Sequence, residues 1–162
     1  MAQNDKALLQ RLNDQRVDFV VIVGVCGVLY GVSLVTFDLD ICCDFSIANL
    51  RRIEAAIKDL HPHHRLVVHK LPFELTDELC ARLKNLYLQT DAGVLDCLSE
   101  VAGLGPFHQV LHHSIEHNLS YGQFRILTLD ALIVSKEAVG RQRDLAAIKQ
   151  LRSIKERGGQ RQ

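Results

Sequence analysis

The 162-residue sequence predicts an α/β fold of the α+β kind, a mixed sheet flanked by helices in a single domain. Three observations carry this. The β-branched run "VDFVVIV" (17–23) reads as a strand buried on both faces. The stretch "SIANLRRIEAAIKDL" (46–60) repeats its apolar residues at helical spacing. Segments of the two kinds are interspersed along the chain, without internal repeats, low-complexity stretches or a linker.

In order, "DKALLQRLND" gives a short amphipathic helix through Ala7, Leu8 and Leu12. After the 17–23 strand, "GVCGVLYG" reads as a short helix entered through Gly24, and "TFDLDICCD" as the next strand. Ser46 can cap the 46–60 helix, whose stripe is Ile47, Leu50, Ile53, Ile57 and Leu60. "RLVVHKL" (65–71) reads as a strand and "TDELCARLK" as a capped helix. "LYLQTDAGVLDCLSEV" suggests a hairpin turning at Asp91-Ala92-Gly93. "GPFHQVLHHSIEH" is expected to be helical after Pro106, followed by a strand in "YGQFRILTL". "LDALIVSKEAVG" is a helix stopped by Gly140, and "RDLAAIKQLRSIKERG" a final helix. The domain is expected to span 1–162, with its core at about 17–151 and a frayed tail at 158–162.

Composition sets limits. Hydrophobic residues make up 48% and charged residues 23%, ordinary for a soluble globular chain. Formal net charge is zero, so nucleic acid or an anionic membrane would have to be met by a local patch. The segment from Phe19 to Phe37 carries no charge and is long enough to suggest a membrane span. Gly24, Gly27 and Gly31 interrupt it, acids flank it, and the N-terminus lacks the basic start of a signal peptide, so no membrane association is expected. Five cysteines without a CxxC pair argue against a disulfide framework or a four-thiolate zinc site; reduced, buried thiols and a cytoplasmic location are expected.

Chemistry concentrates in "DLD". Strand alternation puts Asp38 and Asp40 on one face, where two carboxylates about 7 Å apart repel and are costly to desolvate. A divalent cation with hard oxygen ligands would repay that cost; a strand end emerging into water is the alternative. Upstream, Gly24 ends an apolar strand and opens a helix, where backbone can approach phosphate. Downstream, "GVLDCL" places Asp96 inside another apolar strand. Three such acids with a Gly-led helix start suit a two-cation phosphoryl-transfer site.

Taken together, "VGV" at Val23 to Val25, "DLD" at Asp38 to Asp40, and the later Asp96 resemble the pattern of the DNA polymerase beta-like nucleotidyltransferases. The wider frame, from about Val17 to Leu151, is similar to small bacterial members, including those of toxin–antitoxin systems. The resemblance implies a nucleotidyltransferase fold in which Asp38, Asp40 and Asp96 hold two Mg²⁺ ions, and Asp96 helps remove the proton of the attacking hydroxyl. Gly24 and the backbone at Val25 would grip the triphosphate of an NTP substrate. Transfer of a nucleoside monophosphate to a tRNA, protein or small-molecule hydroxyl would follow, with an antitoxin or a second copy of the chain as partner.

Two positions depart from the pattern. Val25 stands where Gly or Ser would supply a small or hydroxyl side chain, and no basic residue lies between Gly31 and Asp38. A catalytically impaired binding or regulatory module on the same scaffold is the alternative. Lys136 and Arg141 in "SKEAVGRQRDL" offer phosphate contacts or a solvated helix end. Asp144 reads as a local cap or ion-pair partner, and Asp44 as a turn or cap residue. His108/His112 and His113/His117 have helical i,i+4 spacing but lack a convincing third ligand, so structural or solvated roles are expected. Cys42, Cys43 and Cys97 read as small apolar fillers. From Arg141 onward seven Lys or Arg face two acids, a basic helix that could meet an anionic partner or simply be solvated.

Overall fold

The computed structural model describes residues 2–159. The first helix, α1 (Asp5–Asp14), is capped by the Asn4 side chain and buries Leu8, Leu9 and Leu12. A short strand, β1 (Phe19–Val21), leads directly into α2 (Val23–Leu29), and β2 (Asp38–Cys43) follows. Ser46 caps α3 (Ile47–Ile57) by accepting a hydrogen bond from the Asn49 N–H, as its sequence suggests. Leu50, Ile53 and Ile57 of the expected stripe are fully buried, whereas Ile47 at its start is exposed.

Two short strands, β3 (His63–His64) and β4 (Leu71–Pro72), precede α4 (Asp77–Arg82), which Thr76 caps. The hairpin of β5 (Asn85–Thr90) and β6 (Gly93–Leu98) turns through Asp91 and Ala92, with Gly93 at φ +119°. A small ribbon of β7 (Glu100–Val101) and β8 (Gly105–Pro106) opens into α5 (Phe107–His112). The hairpin β9 (Ser114–Leu119) and β10 (Gly122–Leu127) follows, then α6 (Leu129–Val139) and α7 (Leu145–Gly159). Gly140 ends α6 in the left-handed conformation (φ 67°) that glycine adopts most cheaply. Gly158 and Gly159 of the expected frayed tail belong to α7, and 160–162 lie outside the described residues.

Eight strands form one mixed sheet in the order β4-β3-β5-β6-β2-β1-β10-β9. β2 runs parallel to β6 and β1 parallel to β10, while the remaining pairs are antiparallel. The fold is thus mixed α/β, as the interspersed elements predict. No helix among the described residues is long and apolar enough to cross a membrane. The uncharged segment from Phe19 to Phe37 breaks into a strand, a short helix and a loop.

Two expected elements are corrected. The strand read at 65–71 is an irregular loop over 65–70, and only its last residue, Leu71, enters a strand, β4. The last ladder bond there runs from the Arg65 N–H to the Tyr87 carbonyl (3.0 Å), after which the chain leaves the sheet and exposes Leu66, Val67 and Val68. The helix read beyond Pro106 stops at His112, because residues from Ser114 onward pair with β10 in register Ser114↔Leu127 to Leu119↔Gly122. Tertiary strand pairing overrides the local helical pattern there.

Candidate active site

Register assembles the site. Asp40 lies directly opposite Asp96 in the parallel β2–β6 pair, and Asp96 lies opposite Tyr87 in the antiparallel β5–β6 pair. Residues opposed across a ladder share a face and sit about 5 Å apart. Asp40, Asp96, Tyr87 and Arg65, whose N–H bonds Tyr87, therefore form a row across neighbouring strands. Asp38 joins the row from one pleat further along β2. The three carboxylates converge: one oxygen from each lies within 4.8 Å of the others. The opposite face of β2 carries Leu39, Ile41 and Cys43, all fully buried.

The carboxylates open onto a cleft of about 640 Å³. Its walls include Gly24 at the start of α2, Phe37, and the cationic side chains Lys136 and Arg141. Of the residues the sequence marks as candidates, Asp38, Asp40, Asp96, Gly24, Lys136 and Arg141 all face this cleft. Val25 does not. Its side chain is buried in the hydrophobic core, so it neither plugs the cleft nor offers a group to it beyond its backbone. No side chain caps the α2 N-terminus. Gly24 packs tightly, since a Cβ there would approach Thr36 Cγ2 to 2.7 Å. Val23 adopts φ +56°, a strained conformation for a β-branched residue, where β1 turns into α2 beside the carboxylates.

Electrostatics differ among the three acids. Burial raises Asp40, with Asp38 and then Asp96 adding like charge, to about 7 despite the opposing pull of Arg65 and Arg141. Asp96 is only 4% exposed, and burial raises it as well. Arg65 opposes that shift. Its Nε donates to Asp96 Oδ1 at 3.0 Å and its Nη2 donates to Oδ2, a two-pronged clamp on both oxygens. The Arg65 guanidinium also lies 5.6 Å from the centre of the Tyr87 ring. Neither the Asp38 nor the Asp40 carboxylate is clamped in this way by a described residue.

Arg65 escapes the sequence reading because it sits in a segment that looks like an ordinary strand. Only the β3–β5 and β5–β6 registers together bring it to Asp96. The cationic wall is likewise pre-engaged. Lys136 Nζ is 3.3 Å from Asp144 Oδ1, Arg141 Nε is 2.9 Å from Oδ2, and both Lys136 and Asp144 are buried. Burial alone would raise Asp144, but Lys136 and Arg141 together hold it below the ordinary carboxylate value. The expected local pairing of Asp144 is observed, and it ties up both candidate phosphate contacts.

The donor set suits a hard divalent cation: three carboxylates, two of them not clamped, and no thiol or imidazole within the cluster. Among the described residues, the histidine pairs join no comparable ligand group. His113 ends α5 and His117 lies in β9, so their i,i+4 spacing never becomes one helical face. All five cysteines are unpaired and buried, and burial pushes the Cys26 and Cys42 thiols up to about 12, consistent with filler roles. Asp44 takes a turn role: its carbonyl accepts from the buried Asn49 side chain, which also holds both backbone groups of Asp18. In comparison with known proteins, no family model and no curated protein matches this chain.

Proposed function

We propose that the chain is a Mg²⁺-dependent nucleotidyltransferase of the DNA polymerase beta-like kind, acting on an NTP and an acceptor hydroxyl. The observation that carries this reading is the convergence of Asp38, Asp40 and Asp96, from two strands far apart in sequence, inside a cleft that Gly24 borders. Asp38 and Asp40 would hold a cation, with Asp96 serving a second. Bound there, divalent ions supply Lewis-acid stabilisation of charge on a transferring phosphoryl group. The chain's own contributions are positional. The β2–β6 ladder fixes the carboxylates, the backbone at Gly24 offers close approach to phosphate, and Lys136 with Arg141 places positive charge on the facing wall. The acceptor under this reading is a tRNA end, a protein side chain or a small molecule. A partner antitoxin or a second copy of the chain fits the same reading.

A second reading, a binding or regulatory module without catalysis, is favoured by one observation: Lys136 and Arg141 are both bonded to Asp144, leaving fewer free donors for a triphosphate. Titration with ATP, CTP, GTP and UTP, with and without Mg²⁺, separates the two. Metal-dependent binding lost in Asp38→Asn and Asp40→Asn, with label transferred from an α-labelled NTP to a component of a cell extract, supports the enzyme. Absence of NTP binding at millimolar Mg²⁺ supports the module.

A further inference from the structure

We propose that Arg65 is a built-in counter-cation that holds the place of a second divalent ion, so that the second ion enters only by displacing it. This rests on the reading of Asp38, Asp40 and Asp96 as cation ligands, and concerns how that site is loaded.

The three carboxylates are unequal. Both oxygens of Asp96 are engaged by one guanidinium, through Nε at 3.0 Å and through Nη2, whereas the carboxylates of Asp38 and Asp40 remain directed at the cleft without such a clamp. Asp96 is nearly inaccessible to water, so its charge is balanced by Arg65 or by a metal ion and by little else. With Arg65 in place the cluster carries the formal charge that one divalent ion neutralises. A second ion beside an undisplaced guanidinium would meet like charge at contact distance. Of the other cations on the cleft wall, Lys136 and Arg141 are already bonded to Asp144, and neither they nor Arg143 bond to Asp96.

Arg65 is also placed to leave. It makes the last ladder bond of its strand, and the loop that follows exposes Leu66, Val67 and Val68 to solvent, Val68 almost completely. Withdrawal of the guanidinium breaks the Asp96 clamp and the Tyr87 ring contact without opening the core. Arg65 is thus a positioning residue that sets ion occupancy through Asp96.

The test counts Mn²⁺ bound to the full chain at pH 8, without nucleotide, from the paramagnetic resonance signal of the free ion. Wild type is expected to take one ion well before a second. Arg65→Gln raises affinity for the second ion by about tenfold or more, and adding Asp96→Asn removes that gain. Arg65→Lys keeps the charge but loses the fork, and a smaller gain is expected; it carries the test if Arg65→Gln fails to fold. Two ions bound with equal affinity by wild type, or a second-ion affinity that no Arg65 variant moves, would overturn the gate while leaving the cation site standing. No Mn²⁺ bound by wild type or by any Arg65 variant would overturn the cation site, and the gate with it.

Discussion

Asp40 pairs partial burial with two like-charged neighbours, and its proton affinity sits close to neutrality as a result. Its folded value of about 7 exceeds the ordinary carboxylate value of about 3.9. Between those two values the folded chain keeps a proton that the unfolded chain has released. This group's contribution is therefore full below about pH 4 and is lost as pH rises through 7. We expect Asp40→Asn to raise the melting temperature at pH 8 and to leave it nearly unchanged at about pH 3, where Asp40 is protonated in the folded and the unfolded chain alike. Thermal unfolding at the two pH values decides this. Asp144 is the opposite case: Lys136 and Arg141 hold it low, so its contribution is present at neutral pH and lost in acid. Asp144→Ala strands a buried ammonium and should cost about 3–5 kcal/mol in urea unfolding. Replacing both partners, Lys136→Met with Asp144→Leu, should recover most of that loss. The Asp38/Asp40 pairing on one face was legible in the sequence because strand alternation is a local rule. Arg65 was not, since nothing within its own segment distinguishes it from a solvated arginine.

At the level of elements, the entry to α2 is the most constrained local structure. Val23 holds a positive φ, and Gly24 packs against Thr36 with no room for a Cβ. Gly24→Ala should destabilise by roughly 1–3 kcal/mol through overpacking. Thr36→Ser, which removes the obstructing Cγ2, should reverse much of that cost in a double-mutant cycle. The α1, α3 and α6 helices were readable from cap residues and periodicity, because both signals are local. The 65–70 and 114–117 segments were not. In the first the apolar run leaves the sheet after Arg65 and rejoins it only at Leu71, and in the second the β9–β10 ladder takes residues whose spacing suits a helix.

For the whole molecule, the sheet order matters most. β2 and β6 are separated in sequence by α3, α4 and three strands, yet lie side by side in parallel, and this adjacency alone unites Asp40 with Asp96. A ligand bound only by the folded chain stabilises it, by about 2.7 kcal/mol at a hundred times its dissociation constant. Saturating Mg²⁺ or Mn²⁺ should therefore raise the unfolding midpoint of wild type, and should fail to do so in Asp38→Asn/Asp40→Asn. A midpoint equally insensitive in both proteins would count against the cation site. By itself the sequence determined the mixed α/β class, most helix boundaries and the acids that are candidate cation ligands, because propensity, capping and alternation act over a few residues. The tertiary structure alone decided that Arg65 clamps Asp96, that Lys136 joins the local Arg141–Asp144 pair, and that Val25 faces the core. Those facts depend on strand register and helix packing between distant segments, which no local pattern encodes.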